Sequence, residues 1–262
     1  MSQATLTTRG ERGVVAGVEY FVYGEGEPVT VFAHGLAGSV SEIKPLAMPL
    51  PGTRVLFHFH GHGKSEPLVD GWDYDLLCEN LREVADDVGA TQACGLSLGA
   101  GALLRLLRDD PTRFDRLAFV MPASLDQPRN DGAIAHLFEL GKAIETGEIE
   151  QLSAVLLAEL PEQVREQRIT QILIARRAAE LAEMIPPAPR YVDVPLADLA
   201  ALTAVTAPTA VLAQDGDRLH STDIAERLAS ALPNSELKIL QPGGVFWTQP
   251  EDTKEFLHRY LG

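Results

Sequence analysis

The chain is poor in cysteine and in positive charge. Its 262 residues include only two cysteines, Cys78 and Cys94, with no CxxC spacing and no neighbouring histidines. This argues against a disulfide framework and predicts two reduced, buried thiols. Lysine and arginine number 22 against 37 aspartate and glutamate, which gives a net charge of −15. An acidic chain of this kind is a poor partner for nucleic acid or for anionic membranes.

Long apolar runs are absent as well. No segment approaches the roughly 18 apolar residues of a membrane span, and the first 13 residues contain no apolar stretch of the kind found in secretory signals. With 45% hydrophobic and 23% charged residues, the composition is that of an ordinary folded domain. We therefore expect a cytoplasmic protein, monomeric or homodimeric, that acts on a small molecule and needs no cofactor.

Short apolar segments alternate with helical patterns along most of the chain. The runs "VTVFAHG" and "TRVLFHFHG" end in glycine and are typical of strands buried on both faces. The segment "YDLLCENLREVADDVG" places Leu77, Leu81 and Val84 on one face of a helix. This alternation predicts an α/β protein with a mostly parallel sheet covered by helices.

One interval, residues 126–204, breaks the alternation. It contains amphipathic helical patterns and no convincing strand, and it closes with the proline-rich "IPPAP". We expect this interval to form a helical lid over the carboxyl edge of the sheet. Residues 1–125 and 205–262 then form the α/β core.

The segment "GLSLG" places Ser97 between two glycines, after a predicted strand and directly before a predicted helix. A serine on such a turn is held in a strained conformation with its hydroxyl at the carboxyl edge of the sheet. The flanking glycines let the strand and the helix approach closely. Ser97 is therefore the candidate nucleophile, although a turn without chemistry would share the pattern.

An acyl-transfer serine needs two backbone N–H groups directed at the oxyanion. The residue after the nucleophile, Leu98, is one candidate donor. The turn "HGLAGS", which ends an earlier strand, supplies Leu36 as the other. His34 in the same turn could have a structural role alone or could line the substrate site.

These motifs resemble those of the α/β-hydrolase-fold family, and the resemblance covers nearly the whole chain. "HGLAGS" resembles the oxyanion turn of the family, "FHGHGKS" its loop after the fourth strand, and "GLSLG" its nucleophile elbow. The resemblance implies an eight-stranded, mostly parallel sheet and an esterase-like or lactonase-like activity. It also implies Asp217 as the triad acid, with Asp215 and Asp126 as alternatives.

The sequence departs from the family where the triad histidine is expected. After the predicted last strand, "SELKIL", the family places a glycine and then the histidine. Here Gly243 and Gly244 are followed by Val245. Three other histidines could replace it: His258 is expected on the surface of the last helix, His220 at the entry to a helix, and His34 nearest to Ser97. We expect Val245 to face Ser97 and Asp217, so that Val245→His would restore activity.

Three further histidines alternate in "FHFHGHG", namely His58, His60 and His62. Their spacing places them roughly on one side of a strand end, which suggests a metal site. A metal needs three or four convergent ligands with supporting contacts, and His62 belongs to the resembling loop. A structural or substrate-lining role is favoured, and no metal is expected.

Three functions are compatible with this pattern. The first is a serine hydrolase for a small, partly hydrophobic carboxylic ester, thioester or lactone, impaired by the missing histidine. The second is a non-hydrolytic, lyase-type enzyme on the same fold, and the third is a ligand-binding protein without catalysis. Phe246 and Trp247, beside Val245, are expected to line an apolar pocket.

Overall fold

The computed structural model describes residues 10–68, 71–128, 133–183 and 193–262. Eight strands form one sheet in the order β1-β2-β4-β3-β5-β6-β7-β8, in which β2 pairs antiparallel with both neighbours and the remaining pairs are parallel. This confirms the predicted fold class. The strands are β1 (Glu11–Val15), β2 (Val18–Tyr23), β3 (Val29–Ala33), β4 (Thr53–Phe57), β5 (Gln92–Leu96), β6 (Arg116–Val120), β7 (Thr209–Gln214) and β8 (Ser235–Leu240).

Helices cover both faces of the sheet. One face packs against α2, α3 and α8, and the other packs against α1 and α9. The described residues form nine α-helices: α1 (Val40–Ala47), α2 (Tyr74–Asp87), α3 (Leu98–Asp109), α4 (Ala133–Thr146), α5 (Ile149–Ala158), α6 (Glu162–Arg165), α7 (Arg168–Ala182), α8 (Thr222–Ala231) and α9 (Pro250–Leu261).

The interval between β6 and β7 contains α4 to α7 and a 3₁₀ turn at Leu199–Ala204. Its described residues include no strand, as the sequence predicts, while "IPPAP" lies outside the described residues. Leucine, isoleucine and alanine side chains of α4, α5 and α7 form a small core of their own, which reaches Ala37 of the α/β core. We call residues 126–204 the helical insertion.

The parallel strands bring three loops to one edge of the sheet. The strands β3, β5 and β7 end at Ala33, Leu96 and Gln214, and β5 pairs in parallel with β3 on one side and with β6 on the other. The loops that follow these strands therefore meet above the centre of the sheet. Both cysteines are buried and unpaired, and burial raises the pKa of Cys94 to about 12. No helix in the described part of the chain is long and apolar enough to cross a membrane.

Candidate active site

Ser97 lies on a strained turn between β5 and α3. Its backbone has φ 52 and ψ −107, in a region that side chains other than glycine rarely adopt. The Ser97 N–H donates to the carbonyl of Val120 (3.0 Å), which ties the turn to β6. The turn holds the hydroxyl above the sheet edge instead of within the core.

Gly95 allows the close approach of strand and helix that this turn requires. A methyl group added to Gly95 would lie 2.6 Å from the carbonyl oxygen of Gly99 and 2.7 Å from the backbone nitrogen of Ala100. Such distances are below any normal carbon contact. The elbow that the sequence predicts therefore has the geometry for which its glycines are needed.

An imidazole does contact Ser97, and it belongs to His220. Nε2 of His220 lies 2.8 Å from Ser97 Oγ, and Nδ1 lies 2.9 Å from Asp217 Oδ1. An ionised carboxylate only accepts hydrogen bonds, so Nδ1 carries the proton and Nε2 is free to accept from the serine hydroxyl. The expectation that Ser97 and Asp217 lack an imidazole is wrong.

Asp217 is held by a network of four hydrogen bonds. Its Oδ1 accepts from the N–H groups of Leu219 (2.8 Å) and His220 (2.9 Å) as well as from the His220 ring, and its Oδ2 accepts from Gln214 Nε2 (2.8 Å). The two backbone bonds fold the chain over its own aspartate, as in an Asx turn. This turn brings a ring only three residues away back onto the carboxylate.

The same contacts determine the charge of Asp217. Burial alone would raise its pKa, but the hydrogen bond and the charge of His220, the Leu219 N–H and the Gln214 amide outweigh burial and lower it. The group is therefore a carboxylate at neutral pH. The two alternative acids lie elsewhere: Asp215 is exposed, and Asp126 accepts from Arg227 at 2.6 Å.

Val245 does not occupy the position between the serine and the acid. Its side chain is 1% exposed and packs in the apolar cluster with Leu240, Phe256 and Leu257. Its contribution to the site is its backbone N–H, which donates to Gln214 Oε1 (3.2 Å). Because Gln214 also donates to Asp217, the loop after β8 supports Asp217 through Gln214.

The hydroxyl of Ser97 opens into a pocket of about 450 Å³ between the sheet edge and the helical insertion. Leu36, Leu98, Asp217 and His220 line it. Phe246 and Trp247 also lie in its wall, as the sequence predicts. The apolar side chains that the insertion contributes are Leu140, Leu156, Leu160, Leu173, Ile174 and Leu181.

The turn after β3 lies against Ser97. A methyl group added to Gly35 would lie 3.5 Å from Ser97 Cβ and 3.4 Å from Glu42 Oε2. The Gly38 N–H donates to the Gly35 carbonyl (2.9 Å), which closes a tight turn around Leu36 and Ala37. Leu36 and Leu98, the two candidate oxyanion donors, thus flank Ser97 in the same pocket.

His34 is not a substrate-binding residue. It is fully buried, with Nδ1 2.7 Å from the Gly35 carbonyl oxygen and with Nε2 accepting from the Phe59 N–H (3.3 Å). Burial, together with the nearby His62, His58 and Arg177, lowers its pKa well below the ordinary range for histidine. A neutral ring that bonds two backbone groups beneath the turn supports the turn and does not face the pocket.

The histidines of "FHFHGHG" have separate partners. His58 Nδ1 lies 3.0 Å from Glu19 Oε2, His60 Nε2 lies 3.2 Å from the Ala16 carbonyl oxygen, and His62 Nδ1 lies 3.1 Å from the His60 carbonyl oxygen. Within the described ranges, no three His, Cys, Asp or Glu side chains are grouped so that they could hold a metal ion. His258, the remaining candidate base, is exposed on α9.

A model of the alpha/beta hydrolase family matches residues 30–257. The chain belongs to the alpha/beta hydrolase family. Among curated members, a non-heme chloroperoxidase of Kitasatospora aureofaciens is 33% identical over 114 residues. That match covers 41% of each chain, so this chain spans less than half of that relative.

Solved structures of the family share the fold over nearly the full length. A hydrolase from Pseudomonas aeruginosa has a TM-score of 0.78 at 18% identity, with 98% of this chain and 99% of that chain covered. The carboxylesterase CesB of Bacillus subtilis also has a TM-score of 0.78, at 16% identity, with 98% of this chain and 93% of that chain covered. At these identities the similarity establishes the fold alone.

The sequence predicts His220 at the entry to a helix, which is where it lies, but its contact with Ser97 is not predicted. The signal that could have identified it is the spacing within "DGDRLHS", which places a histidine three residues after the candidate acid and directly before Ser221. Ser221 is the N-cap of α8 and accepts from the Asp223 N–H (3.3 Å). His220 therefore lies in the loop, before the helix begins.

Proposed function

We propose that this protein is a serine hydrolase with Ser97 as nucleophile, His220 as general base and Asp217 as the acid that orients it. The substrate class is a small, partly hydrophobic carboxylic ester, thioester or lactone. The observation that carries the proposal is the position of the His220 ring, within hydrogen-bond distance of both Ser97 Oγ and Asp217 Oδ1. The base thus comes from the loop after β7, on the same turn as the acid.

In the first half of the reaction, Ser97 Oγ attacks the carbonyl carbon while its proton moves to His220 Nε2. Asp217 stabilises the imidazolium that forms, through the bond to Nδ1–H. The negative charge on the former carbonyl oxygen is stabilised by the N–H groups of Leu36 and Leu98. The carbon–oxygen bond of the ester, or the carbon–sulfur bond of a thioester, then breaks, and the leaving group takes the proton from Nε2.

In the second half, a water molecule attacks the acyl group on Ser97 as His220 Nε2 takes its proton. A second oxyanion forms at the same donors. The acyl–oxygen bond breaks, Ser97 regains a proton from His220, and the carboxylic acid leaves. Each step uses only groups that line the described pocket.

The helical insertion acts as a lid in this proposal. Its leucine and isoleucine side chains face Ser97 across the pocket, together with Phe246 and Trp247. An apolar wall favours an acyl or alkyl group of modest size, since the pocket measures about 450 Å³. The fold neighbours named as carboxylesterases, CesB and naproxen esterase of Bacillus subtilis, agree with this substrate class.

The two other functions lose their main support. Both rested on the absence of an imidazole beside Ser97, whereas His220 Nε2 lies 2.8 Å from the hydroxyl. A ligand-binding protein without catalysis has no need for an oriented histidine. A lyase-type reaction remains distinguishable, because it would continue without a nucleophilic serine.

Hydrolysis of a short-chain aryl ester by the parent protein and by Ser97→Ala tests the proposal. We expect the parent to hydrolyse the ester and to react with a fluorophosphonate, which mass spectrometry should locate on Ser97. Ser97→Ala should lose turnover by about 10³-fold or more and should not be labelled. Turnover that persists in Ser97→Ala, or tight ester binding without turnover by the parent, would overturn the proposal.

A further inference from the structure

Helix α7 of the helical insertion contacts the turn that follows β3. Arg177 donates from Nη2 to the carbonyl oxygen of Ala37, and the same nitrogen lies 3.8 Å from Glu42 Oε1. One helical turn further on, Glu180 accepts from the hydroxyls of Ser39 (3.1 Å) and Ser41 (3.0 Å). Two side chains of one helix thus hold the chain on either side of Gly38.

The turn needs such support because Ala37 has an unfavourable backbone conformation. Its φ is 49, in the left-handed region that residues other than glycine rarely adopt. Glu42 Oε2 accepts from the Gly35 N–H (3.2 Å), and Arg177 binds the Ala37 carbonyl. The N–H of Leu36, the proposed oxyanion donor, lies between these two fixed peptide groups.

Arg177 also compensates a charge. The carboxylate of Glu42 lines the pocket. Both this carboxylate and Ser97 Cβ lie next to Gly35. The pKa of Glu42 is raised, because burial outweighs the charge of Arg177 and the Gly35 N–H, both of which act to lower it. A negative carboxylate beside a developing oxyanion opposes catalysis. The guanidinium, 17% exposed, lies 3.8 Å from that carboxylate and so offsets its charge.

We propose that Arg177 is a positioning residue for the oxyanion hole: from the helical insertion it fixes the Ala37–Gly38 peptide, which follows Leu36 closely, and it balances the charge of Glu42. This inference rests on the proposed hydrolase function. It means that α7 does more than cover the pocket. The oxyanion donor is held in place and the charge of Glu42 is balanced only when α7 contacts the turn. Catalysis therefore depends on the contact between the helical insertion and this turn.

The test compares Arg177→Met with Arg168→Met, which removes the same charge from an exposed position at the start of α7. On an aryl ester, Arg177→Met should lower kcat by about 10- to 100-fold with KM changed less than about threefold. The rate at which a fluorophosphonate labels Ser97 should fall by a similar factor. Arg168→Met should match the parent in all three quantities.

A second pair of variants separates charge from folding. Glu42→Gln keeps an oxygen that can accept from Gly35 but removes the carboxylate, so adding it to Arg177→Met should recover at least about fivefold of the lost kcat. Arg177→Lys keeps the charge without the planar fork, and its kcat should be intermediate. Thermal unfolding of each variant shows whether it is folded, and Arg177→Lys carries the test if Arg177→Met is not.

A kcat of Arg177→Met or Arg177→Lys within twofold of the parent, or a change in KM alone, would overturn the inference. So would an equal loss of kcat in Arg168→Met. In these cases the labelling of Ser97 in the parent would still support the hydrolase. A parent that neither hydrolyses esters nor is labelled at Ser97 would instead overturn the proposed function itself.

Discussion

At the scale of single residues, the site depends on how Asp217 folds the loop after β7. The aspartate accepts from two backbone N–H groups of its own loop and from the ring of His220. A loop aspartate that only faced solvent would leave the ring free to rotate. Here the carboxylate fixes both the tautomer and the direction of Nε2, which are the two conditions for a general base.

Val245→His should therefore not increase activity. The position between serine and acid is already occupied by His220, and Val245 is 1% exposed within an apolar cluster. We expect ester turnover within about twofold of the parent. We also expect a free energy of unfolding lower by about 1–3 kcal/mol, because an imidazole would be buried without a partner. A rise in turnover of tenfold or more would show that the loop after β8 can supply the base, contrary to this account.

The sequence predicts Ser97 and Asp217 as candidate site residues, but it does not predict that the ring of His220 lies between them. Ser97 is recognisable because the sequence signal for its turn is local and consists of the glycines on either side of it. His220 is 123 residues away from Ser97, and its ring reaches the serine only because Asp217 folds the loop. The spacing within "DGDRLHS" is compatible with that contact, but it is equally compatible with a histidine that only precedes a helix. For His34, the sequence predicts a position near Ser97 but does not predict the complete burial of the ring.

At the scale of elements, the strand-to-helix junction at Ser97 determines the position of the hydroxyl. Its geometry requires β5 and α3 to pack so closely that a side chain at Gly95 would clash with the backbone of α3. The alternation of apolar runs and helical patterns was sufficient to predict these elements, because each has a regular period. The break between α6 and α7 at Gln167 was not predicted, because the amphipathic pattern continues through it.

A pair of glycine substitutions tests this close packing. At Gly95 an added methyl group would lie 2.6 Å from a backbone oxygen, whereas at Gly141 in α4 it would meet nothing within 4 Å among the described residues outside its own stretch of helix. Gly95→Ala should lower the free energy of unfolding by about 1–3 kcal/mol. Gly141→Ala should leave it unchanged or raise it by about 0.5–1 kcal/mol, as expected for a helical glycine. Urea denaturation measures both, and an equally stable Gly95→Ala would contradict the packing described for the elbow.

At the scale of the whole molecule, buried histidines couple stability to pH. The rings of His34 and His62 lie 4.8 Å apart between centroids, and those of His34 and His58 lie 5.9 Å apart. Burial lowers the pKa of all three, and that of His62 falls from 6.5 to about 4. His58 and His62 pack against His34, which contacts the turn after β3, so their protonation would disturb this turn as well as the core.

The free energy of unfolding should fall as the pH drops from 6.5 towards 4. In this window the unfolded chain binds a proton at residue 62 that the folded chain does not bind, so the stabilisation is complete above pH 6.5 and is lost on acidification. For His62 alone the loss is roughly 3 kcal/mol over the window. Urea denaturation at about pH 7, 6 and 5 should give a shallower dependence for His62→Gln than for the parent. His258→Gln, at an exposed position on α9, serves as the control, and equal slopes for His62→Gln and the parent would contradict the assignment.

The claim that His220 is the base that activates Ser97 is tested most directly by the turnover of His220→Ala with and without added imidazole. The variant removes the ring that lies 2.8 Å from Ser97 Oγ and leaves the elbow intact. We expect a loss of about 10³- to 10⁴-fold on a short-chain aryl ester, partly restored by imidazole in a saturable manner, with Ser97→Ala beyond rescue. A folded His220→Ala protein that keeps turnover within tenfold of the parent would show that the base lies elsewhere.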